Sequence, residues 1–191
     1  MHTLRFYLTN WRLVVRRLIG QKFEMSIGTH TYGVPAIRWW GEAAKLSIGK
    51  FCSIARGVTI YLGGNHRTDW ITTYPFTVMP SWQGHAHSVG HPTTRGDVVI
   101  GNDVWLGENC TIFSGVTIGD GAVVAGRAVV SRSIPAYAIA AGNPARIVRY
   151  RFTPEQIEHL LQVRWWEWDD AEIRRKLDIL LTPDVERLTA K

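Results

Sequence analysis

Several features that assign a chain to a common functional class are missing from this sequence. Its 191 residues include only two cysteines, and no apolar run reaches the roughly eighteen residues that a membrane-spanning helix needs. No Gly-x-Ser-x-Gly, His-Glu-x-x-His or Gly-x-x-x-x-Gly-Lys motif occurs. A serine hydrolase with a nucleophile elbow, a zinc protease, a P-loop enzyme and a disulfide-stapled scaffold are therefore not indicated.

The chain also lacks a concentrated patch of charge, although its formal net charge is +6. No helix-turn-helix, zinc-finger or RNA-binding signature accompanies the scattered basic residues, so a nucleic-acid partner is not expected. A phosphorylated small molecule is the better anionic partner. Arginines at positions 5, 12, 16 and 17 interrupt the apolar residues of the N-terminal segment, as a signal peptide would not. We expect a cytoplasmic protein without a membrane span, in which residues 1–25 cap one end of the domain.

A six-residue repeat is the strongest positive feature. An aliphatic residue occupies every sixth position from residue 100 to residue 130: Ile100, Leu106, Ile112, Ile118, Val124 and Val130. The next residue is small in most repeats, with Phe113 as the exception. Neither the period of a helix nor that of a strand produces this spacing. It predicts an all-β solenoid in which each hexapeptide forms one side of a triangular coil, with about eighteen residues in a turn.

The coil makes predictions about stacking and about a break in the repeat. Residues one turn apart should lie over one another: Ile100 over Ile118, Leu106 over Val124 and Ile112 over Val130. An earlier block of the repeat ends at Ile60, and its distance from Ile100 is not a multiple of six. Residues 61–99 should therefore leave the coil as an excursion loop and return, within a coil domain that spans residues 26–150.

Both cysteines occupy the second apolar slot of the hexapeptide, four positions after the aliphatic residue. In a coil this slot faces the interior, so Cys52 and Cys110 should be packing residues. A disulfide or a metal pair is not expected from them. Buried free thiols favour a reducing compartment.

The excursion loop contains the candidate chemistry, because a long loop in a compact repeat protein is uncommon unless it is functional. Gly63 and Gly64 allow close approach of the backbone to a ligand, and His66 comes soon after them. A surface histidine is more often idle than catalytic, so the pattern alone leaves both interpretations open. Three further histidines, His85, His87 and His91, could ligate zinc. No regular element is predicted to hold them, and we expect no metal site.

Residues 151–191 are predicted to form a helical tail. Thr153 is an N-cap, with a proline at the next position and Gln156 as the capping-box partner. A second helix should begin after Asp169 and end before Pro183. Before the tail, Arg132, Arg146 and Arg149 should gather near the last corner of the coil. They suit bound phosphates through charge-assisted hydrogen bonds, although a solvated basic face has the same composition.

Four groups of residues together carry a family resemblance. They are the hexapeptide coil, the loop segments Gly-Gly-Asn-His-Arg-Thr-Asp-Trp and Thr-Tyr-Pro-Phe, Gly-Asn-Asp-Val-Trp-Leu-Gly at 101–107, and Ala-Gly-Asn-Pro-Ala-Arg at 141–146. The chain resembles, over residues 26 to about 180, the xenobiotic acetyltransferases, which include type B chloramphenicol and streptogramin acetyltransferases and related sugar O-acetyltransferases. The resemblance implies a left-handed parallel β-helix that forms a homotrimer. It also implies active sites in clefts between neighbouring coils, with acetyl-CoA along the groove.

The resemblance further implies roles for individual residues. His66 would be the catalytic base. The residues implied for binding acetyl-CoA are Trp105, Gly126, Ser131, Arg132, Ala141, Gly142, Asn143, Arg146 and Arg149. Aromatic residues that could line an acceptor pocket are Tyr32, Trp40, Trp70 and Phe76.

The implied reaction is direct O-acetylation of a small acceptor, an antibiotic or a sugar. A thioester is already activated, so no covalent enzyme intermediate is needed. A neutral imidazole is a suitable base for the acceptor hydroxyl at cytoplasmic pH, and a backbone N–H of the coil would stabilise the oxyanion. His91 is the next candidate for the base if alanine at position 66 leaves turnover unchanged.

Other functions share the repeat. A sugar N- or O-acetyltransferase of surface polysaccharide synthesis and a non-catalytic hexapeptide scaffold are two of them. A γ-type carbonic anhydrase requires three histidines on adjacent coil faces, and none occurs between Val98 and Pro135. The sequence distinguishes neither an antibiotic acceptor from a sugar nor a strictly acetyl donor from other acyl donors.

Overall fold

The structure is a computed structural model that describes residues 23–41, 43–82, 84 and 90–188. Most of the predicted N-terminal cap, residues 1–22, lies outside the described residues, and so do the loop histidines His85 and His87. Among the helices of the described part, none has the length and apolar character needed to cross a membrane.

Hexapeptides fold into short strands that stack in three sheets, here named faces A, B and C. Face A contains β1 (Met25–Ile27), β3 (Leu46–Ile48), β6 (Val98–Ile100) and β9 (Thr117–Ile118). Face B contains β4 (Ser53–Ile54), β7 (Trp105–Leu106), β10 (Val123–Val124), β12 (Ala138–Ala141) and β13 (Arg146–Tyr150). Face C contains β2 (Ala36–Arg38), β5 (Thr59–Tyr61), β8 (Thr111–Ile112) and β11 (Val129–Val130). The chain visits A, B and C in turn, and the edges between faces are named AB, BC and CA.

The register of the strands agrees with the predicted stacking. Neighbouring strands of the coil are parallel, and the paired residues are those one turn apart: Ile100 with Ile118, Leu106 with Val124, and Ile112 with Val130. Ile60 pairs with Ile112 across the excursion, so the loop is inserted between turns without disturbing the register. The last strand, β13, runs antiparallel to β12 and ends face B.

The interior of the coil is a single apolar column. The stacked aliphatic residues are buried, and burial of such side chains is the main source of stability in a domain of this size. Cys52 and Cys110 lie in this column as free, buried thiols, as expected from their slot in the repeat. Burial raises the pKa of Cys52 to about 11 and that of Cys110 to about 12, so neither thiol is a reactive nucleophile at neutral pH.

Crowding between turns explains the small residue that follows each aliphatic one. A Cβ atom on Gly107 would lie 2.5 Å from the backbone nitrogen of Gly126, and one on Gly119 would lie 2.4 Å from that of Ala136. The left-handed backbone of the corners occurs two residues later, for example at Asp103 with φ 54°. The small residue is therefore needed for space, and the corner itself accepts larger residues.

The tail begins at the predicted capping box. Helix α1 (Pro154–Val163) follows Thr153, whose Oγ1 accepts a hydrogen bond from the N–H of Gln156 while Gln156 Oε1 accepts one from the N–H of Thr153. The prediction of one second helix is wrong, because the segment forms α2 (Asp170–Arg175) and α3 (Leu177–Leu180). Lys176 between them has φ −103° and ψ 5°, which interrupts the helix.

The tail packs along the AB edge of the coil. Its buried Trp166 belongs to a second apolar core that includes Tyr137 of this edge. Two polar contacts reach earlier turns of the same edge: Lys50 forms an ion pair with Glu167, and His30 Nε2 lies 3.0 Å from Asp170 Oδ1. The tail therefore contacts the first, second and last turns, and it stabilises their stacking.

Candidate active site

The excursion loop leaves the coil at the CA edge, directly after β5. The N–H groups of Asn65 and Thr93 donate to each other's carbonyl oxygens at 3.0 and 2.9 Å, which holds the two ends of the loop side by side. The side-chain amide of Asn65 donates to the hydroxyl of buried Ser114 at 3.3 Å. These bonds fix the backbone that carries His66.

His66 is exposed, and one of its two ring nitrogens is engaged. Nδ1 lies 2.7 Å from the carbonyl oxygen of Thr73, seven residues further along the loop. A carbonyl oxygen can only accept, so Nδ1 must carry the proton when the ring is neutral. Nε2 then holds the free lone pair, and it has no hydrogen-bond partner in the described part of the chain. A ring nitrogen in this state can accept a proton from a bound hydroxyl group.

His91 packs against His66 with its ring nearly perpendicular. The ring centroids are 4.6 Å apart and the planes meet at 85°. Both nitrogens of His91 are buried, and neither has a hydrogen-bond partner among the residues that the structure describes. Burial lowers the pKa of His91, and the charge of His66 lowers it further. His91 is thus a poor candidate for the base itself, because a bound acceptor could not reach either nitrogen.

The described residues do not indicate a metal site. Within the described ranges, no three His, Cys, Asp or Glu side chains are grouped closely enough to hold an ion. Two of the three histidines of the zinc alternative, His85 and His87, lie outside those ranges.

A column of side chains supports His91. The ring of Trp70 lies 6.5 Å from that of His91, and the guanidinium of Arg67 lies 5.2 Å above the ring of Trp70. Asp69 accepts two hydrogen bonds from Arg67, which lower the pKa of Asp69 to about 2. Arg67, Trp70, His91 and His66, here named the support column, therefore form a continuous series of contacts.

Two aromatic groups border the loop. Trp40 packs over Gly64, where a Cβ atom would lie 2.5 Å from its ring. Stacked contacts continue from Trp40 to Tyr61 at 6.1 Å and from Tyr61 to Phe113 at 5.3 Å. The sequence predicted Trp40 but missed Tyr61 and Phe113. The signal for Phe113 was its position as the one large residue after an aliphatic slot, on an outward-facing column of face C.

The second aromatic group lies within the loop. Phe76 contacts Tyr74 at 4.7 Å and Trp82 at 5.1 Å between ring centroids. Of these three, only Phe76 was predicted as an acceptor residue, since no periodic pattern indicates which loop aromatics will meet. Trp70 belongs to the support column instead of this group.

A groove of about 570 Å³ runs along face B. Trp105, Val123 and Ile139 line it from successive strands, since Val123 pairs with both Trp105 and Ile139. Trp105 is 55% exposed there. Gly126 and Arg149 complete the lining, so three of the predicted cofactor residues come together in one groove.

The other predicted cofactor residues lie at two separate edges. β12 ends at Ala141, the turn that follows at the BC edge contains Gly142 and Asn143, and Arg146 begins β13. Ser131 and Arg132 come after β11 at the CA edge. The predicted gathering of Arg132 with Arg146 and Arg149 is therefore wrong for a single chain. The repeat fixed the strands but did not show that β13 would turn back along face B, away from Arg132.

Tyr32 is separated from the other predicted acceptor residues. It pairs with Ser53, which pairs in turn with Trp105, so Tyr32 belongs to the column of face B. His66 and Trp70 belong to the loop on the CA edge, which is the corner opposite face B in a three-sided coil. One chain thus presents His66 on one side and the groove on the other.

Comparisons with known proteins agree on one family. A family model for the bacterial transferase hexapeptide (six repeats) matches residues 97–132. A probable macrolide acetyltransferase of Lysinibacillus sphaericus is 49% identical over 138 residues, which cover 71% of this chain and 77% of the relative. A virginiamycin A acetyltransferase of Staphylococcus aureus is 44% identical, with 77% and 68% covered. A chloramphenicol acetyltransferase of Agrobacterium fabrum is 40% identical, with 76% and 71% covered.

A solved structure agrees with the fold. The hexapeptide-repeat-containing acetyltransferase of Vibrio cholerae aligns with a TM-score of 0.50 at 28% identity, covering 68% of this chain. This chain spans 64% of that structure, which is less than two thirds of its length. The non-catalytic scaffold alternative is wrong, because the relatives are enzymes. The chain is an acetyltransferase, and it belongs to the hexapeptide-repeat family of the chloramphenicol, macrolide and virginiamycin A acetyltransferases.

Proposed function

We propose that this enzyme transfers an acetyl group from acetyl-CoA to a hydroxyl group of an antibiotic, with His66 as the general base. The observation that carries the proposal is the 2.7 Å contact between His66 Nδ1 and the carbonyl oxygen of Thr73. It fixes the tautomer in which Nδ1 carries the proton, so Nε2 keeps a free lone pair on an exposed ring. That nitrogen takes a proton from an incoming hydroxyl.

The chemistry follows from that arrangement. His66 Nε2 removes the proton of the acceptor hydroxyl as its oxygen attacks the thioester carbonyl. The new C–O ester bond forms, the C–S bond breaks, and His66 returns the proton to the departing thiolate. The positive charge that appears on the ring is stabilised by the Thr73 carbonyl oxygen, which accepts the hydrogen bond from Nδ1–H. No metal ion and no covalent enzyme intermediate are needed, because the thioester is already activated.

The groove on face B suits the acetyl-CoA donor. Exposed Trp105, with Val123 and Ile139, offers apolar contact to a pantetheine arm, and Arg149 offers a cation for the phosphates. Ala141, Gly142, Asn143 and Arg146 lie at the BC edge, where face B ends, and they are proposed to bind the donor beyond the groove. Ser131 and Arg132 stay proposed cofactor residues on the condition that they belong to a groove formed with a second chain.

The active site is proposed to lie between subunits of a homotrimer of left-handed coils. A single chain supports this because its base on the CA edge and its groove on face B are on opposite sides. The base of one copy then meets the groove of the next, and Tyr32 joins the loop aromatics Trp40, Trp70 and Phe76 around the acceptor. A closed ring of three such heterologous contacts satisfies every base and every groove.

An antibiotic acceptor is preferred to a sugar. The curated relatives are acetyltransferases for chloramphenicol, for virginiamycin A and, as a probable assignment, for macrolides. Rigid apolar molecules of this kind fit a loop with two aromatic groups. The free, buried thiols of Cys52 and Cys110 suit a reducing compartment, so the enzyme is proposed to work in the cytoplasm.

Replacement of His66 tests the proposal. His66→Ala should lower kcat by roughly 10² to 10⁴, the usual contribution of a general base, and should leave acetyl-CoA affinity unchanged in calorimetry. Turnover is to be measured on chloramphenicol, virginiamycin A, a macrolide and a hexose. His30→Ala, at an exposed histidine on the AB edge, is the matched control and should keep its kcat. Full turnover by His66→Ala, or hexose as the best acceptor, would contradict the proposal.

A further inference from the structure

The ring of His66 needs more than one hydrogen bond to be held in place. In the described part of the chain, its single hydrogen bond is that of Nδ1 with Thr73. Such a bond fixes the position of Nδ1 but leaves the ring able to rotate about the hydrogen-bond axis. This rotation would displace Nε2, the nitrogen that must meet the acceptor. A base that is misplaced by about 1 Å loses much of its effect.

The contact that limits this rotation comes from His91. Its ring meets that of His66 at 85° with 4.6 Å between centroids. The other members of the support column hold His91 in turn. The ring centroid of Trp70 lies 6.5 Å from that of His91, and the guanidinium of Arg67 lies 5.2 Å from the centroid of Trp70. Among the described residues no side-chain hydrogen bond holds His91, since both of its ring nitrogens are buried without a partner there. Its contribution to the site is therefore made by ring contact.

The charge of His91 also matters for the reaction. His66 becomes positive when it takes the acceptor's proton, and a second positive ring in contact with it would oppose that step. The buried nitrogens of His91 keep its ring neutral. The nearest fixed cation of the support column, Arg67, is paired with Asp69. The surroundings of His66 therefore add no uncompensated positive charge from the described residues.

We infer that His91 is a positioning residue, which holds the base His66 in its productive orientation through a neutral ring contact and takes no proton itself. The inference rests on the proposed function, because it requires His66 to be the base. It goes beyond that function by assigning a role to a side chain that touches neither the acceptor nor the donor.

Four variants test the inference: His91→Ala, His91→Phe, His66→Ala and the double variant His66→Ala/His91→Ala. The acceptor is the one that the panel above turns over fastest. His91→Ala should lower kcat by about ten-fold or more while KM for acetyl-CoA changes by less than about two-fold. His91→Phe keeps a neutral ring, so it should retain kcat within about three-fold, with an unchanged pH profile of kcat.

The double variant separates positioning from general damage to the loop. If His91 acts only through His66, the double variant should be no slower than His66→Ala, because the group being positioned is already absent. A further ten-fold loss in the double variant would overturn the inference, since it would show a structural role independent of the base. A His91→Phe variant as slow as His91→Ala, or with a shifted pH profile, would also overturn it by showing that the nitrogens are used.

The same set distinguishes failure of the inference from failure of the proposed function. Full turnover by His66→Ala would contradict both the proposed role of His66 as the base and the inference about His91. Loss of turnover by His66→Ala with wild-type kcat in His91→Ala would remove the inference alone. Near-ultraviolet circular dichroism of each variant controls for folding, because the nine tryptophans of the chain report on its tertiary packing.

Discussion

Single atoms decide how closely the turns of the coil stack, and Gly107 is the clearest case. Its missing Cβ would lie 2.5 Å from the nitrogen of Gly126 in the next turn. Gly107→Ala should therefore destabilise the protein by about 1–3 kcal/mol, the usual cost of overpacking. Urea unfolding followed by tryptophan fluorescence would measure the loss.

Gly126 provides the control for this substitution at the same edge. A Cβ atom there would lie 3.2 Å from the carbonyl oxygen of Glu108, with its next neighbour at 3.8 Å. Gly126→Ala should lose clearly less stability than Gly107→Ala, because one small shift relieves the contact. Equal losses would contradict crowding as the reason for glycine at position 107, because neither position has the left-handed backbone that disfavours alanine.

At this scale the sequence predicted His66 but not its partners. The glycines before it and the family motif around it indicated the residue. Thr73 acts through its backbone carbonyl, which any residue at that position would supply, so its identity holds no signal. His91 is twenty-five positions away, and the loop that brings the rings together has no periodic pattern from which its path can be read.

Elements are joined by a few partly buried polar contacts, of which the pair Arg151–Asp103 is the most informative. Arg151 follows β13, and its Nη1 donates to the carbonyl of Gly121 at 2.6 Å and lies 3.3 Å from Asp103 Oδ2. Arg151→Leu should lose about 2 kcal/mol or more, because it leaves a poorly solvated carboxylate without its cation. Asp103→Asn should lose less than about 1 kcal/mol, since Arg151 keeps Gly121 and asparagine tolerates a left-handed backbone.

The pH dependence of this pair has a definite sign. Burial raises the pKa of Asp103 above its ordinary value of 3.8, although Arg151 acts in the opposite direction. The folded state thus binds this proton more tightly than the unfolded state does, and the stability from it is lost as pH rises through the raised pKa. Urea unfolding should show Asp103→Asn gaining on the wild type as pH rises from about 4 to 7. If the difference in free energy of unfolding between wild type and Asp103→Asn stayed constant over this pH range, the raised pKa of Asp103 would be contradicted.

Local rules predicted elements well where one residue type determines the conformation. The capping box at Thr153 and Gln156 is read directly from side-chain chemistry, and the strands follow from the aliphatic slots. The break at Lys176 was missed, because the apolar spacing on both sides of it is that of a continuous helix. The antiparallel return of β13 was also missed, since its exposed residues carry no alternation.

The proposed trimer combines His66 of one chain with the face B groove of the next, and a mixing experiment tests this arrangement. One partner is His66→Ala, with an intact groove, and the other is Trp105→Ala/Arg149→Glu, with an intact base. Each homo-oligomer should have little activity. Co-expressed and purified together, they should recover about a quarter of wild-type turnover, the share of contacts that join an intact base to an intact groove.

The matched control for the mixture is a single chain that carries all three substitutions, co-expressed with His66→Ala. No contact in that mixture contains an intact base, so it should stay inactive. A mixture of the two complementary variants without recovered activity would show that base and groove of the same chain work together. Sedimentation of the mixed sample would verify that hetero-oligomers had formed.

At the scale of the molecule, the sequence predicted the coil and its insertion because a repeat is a property of the whole chain. The position of the groove was less accessible. Trp105 and Gly126 were indicated by the family motif, but the separation of Arg132 from Arg149 depends on which edge each turn ends at, and that follows only from three-dimensional stacking.

The paired ends of the excursion loop have an evolutionary consequence. Asn65 and Thr93 bind each other, and the strands on either side keep the register they would have without the insertion. A segment attached in this way behaves as an exchangeable cassette: recombination can replace it while the framework remains intact. Changes in the length or sequence of the cassette can thus alter the surroundings of His66 while the strands of the coil keep their pairing.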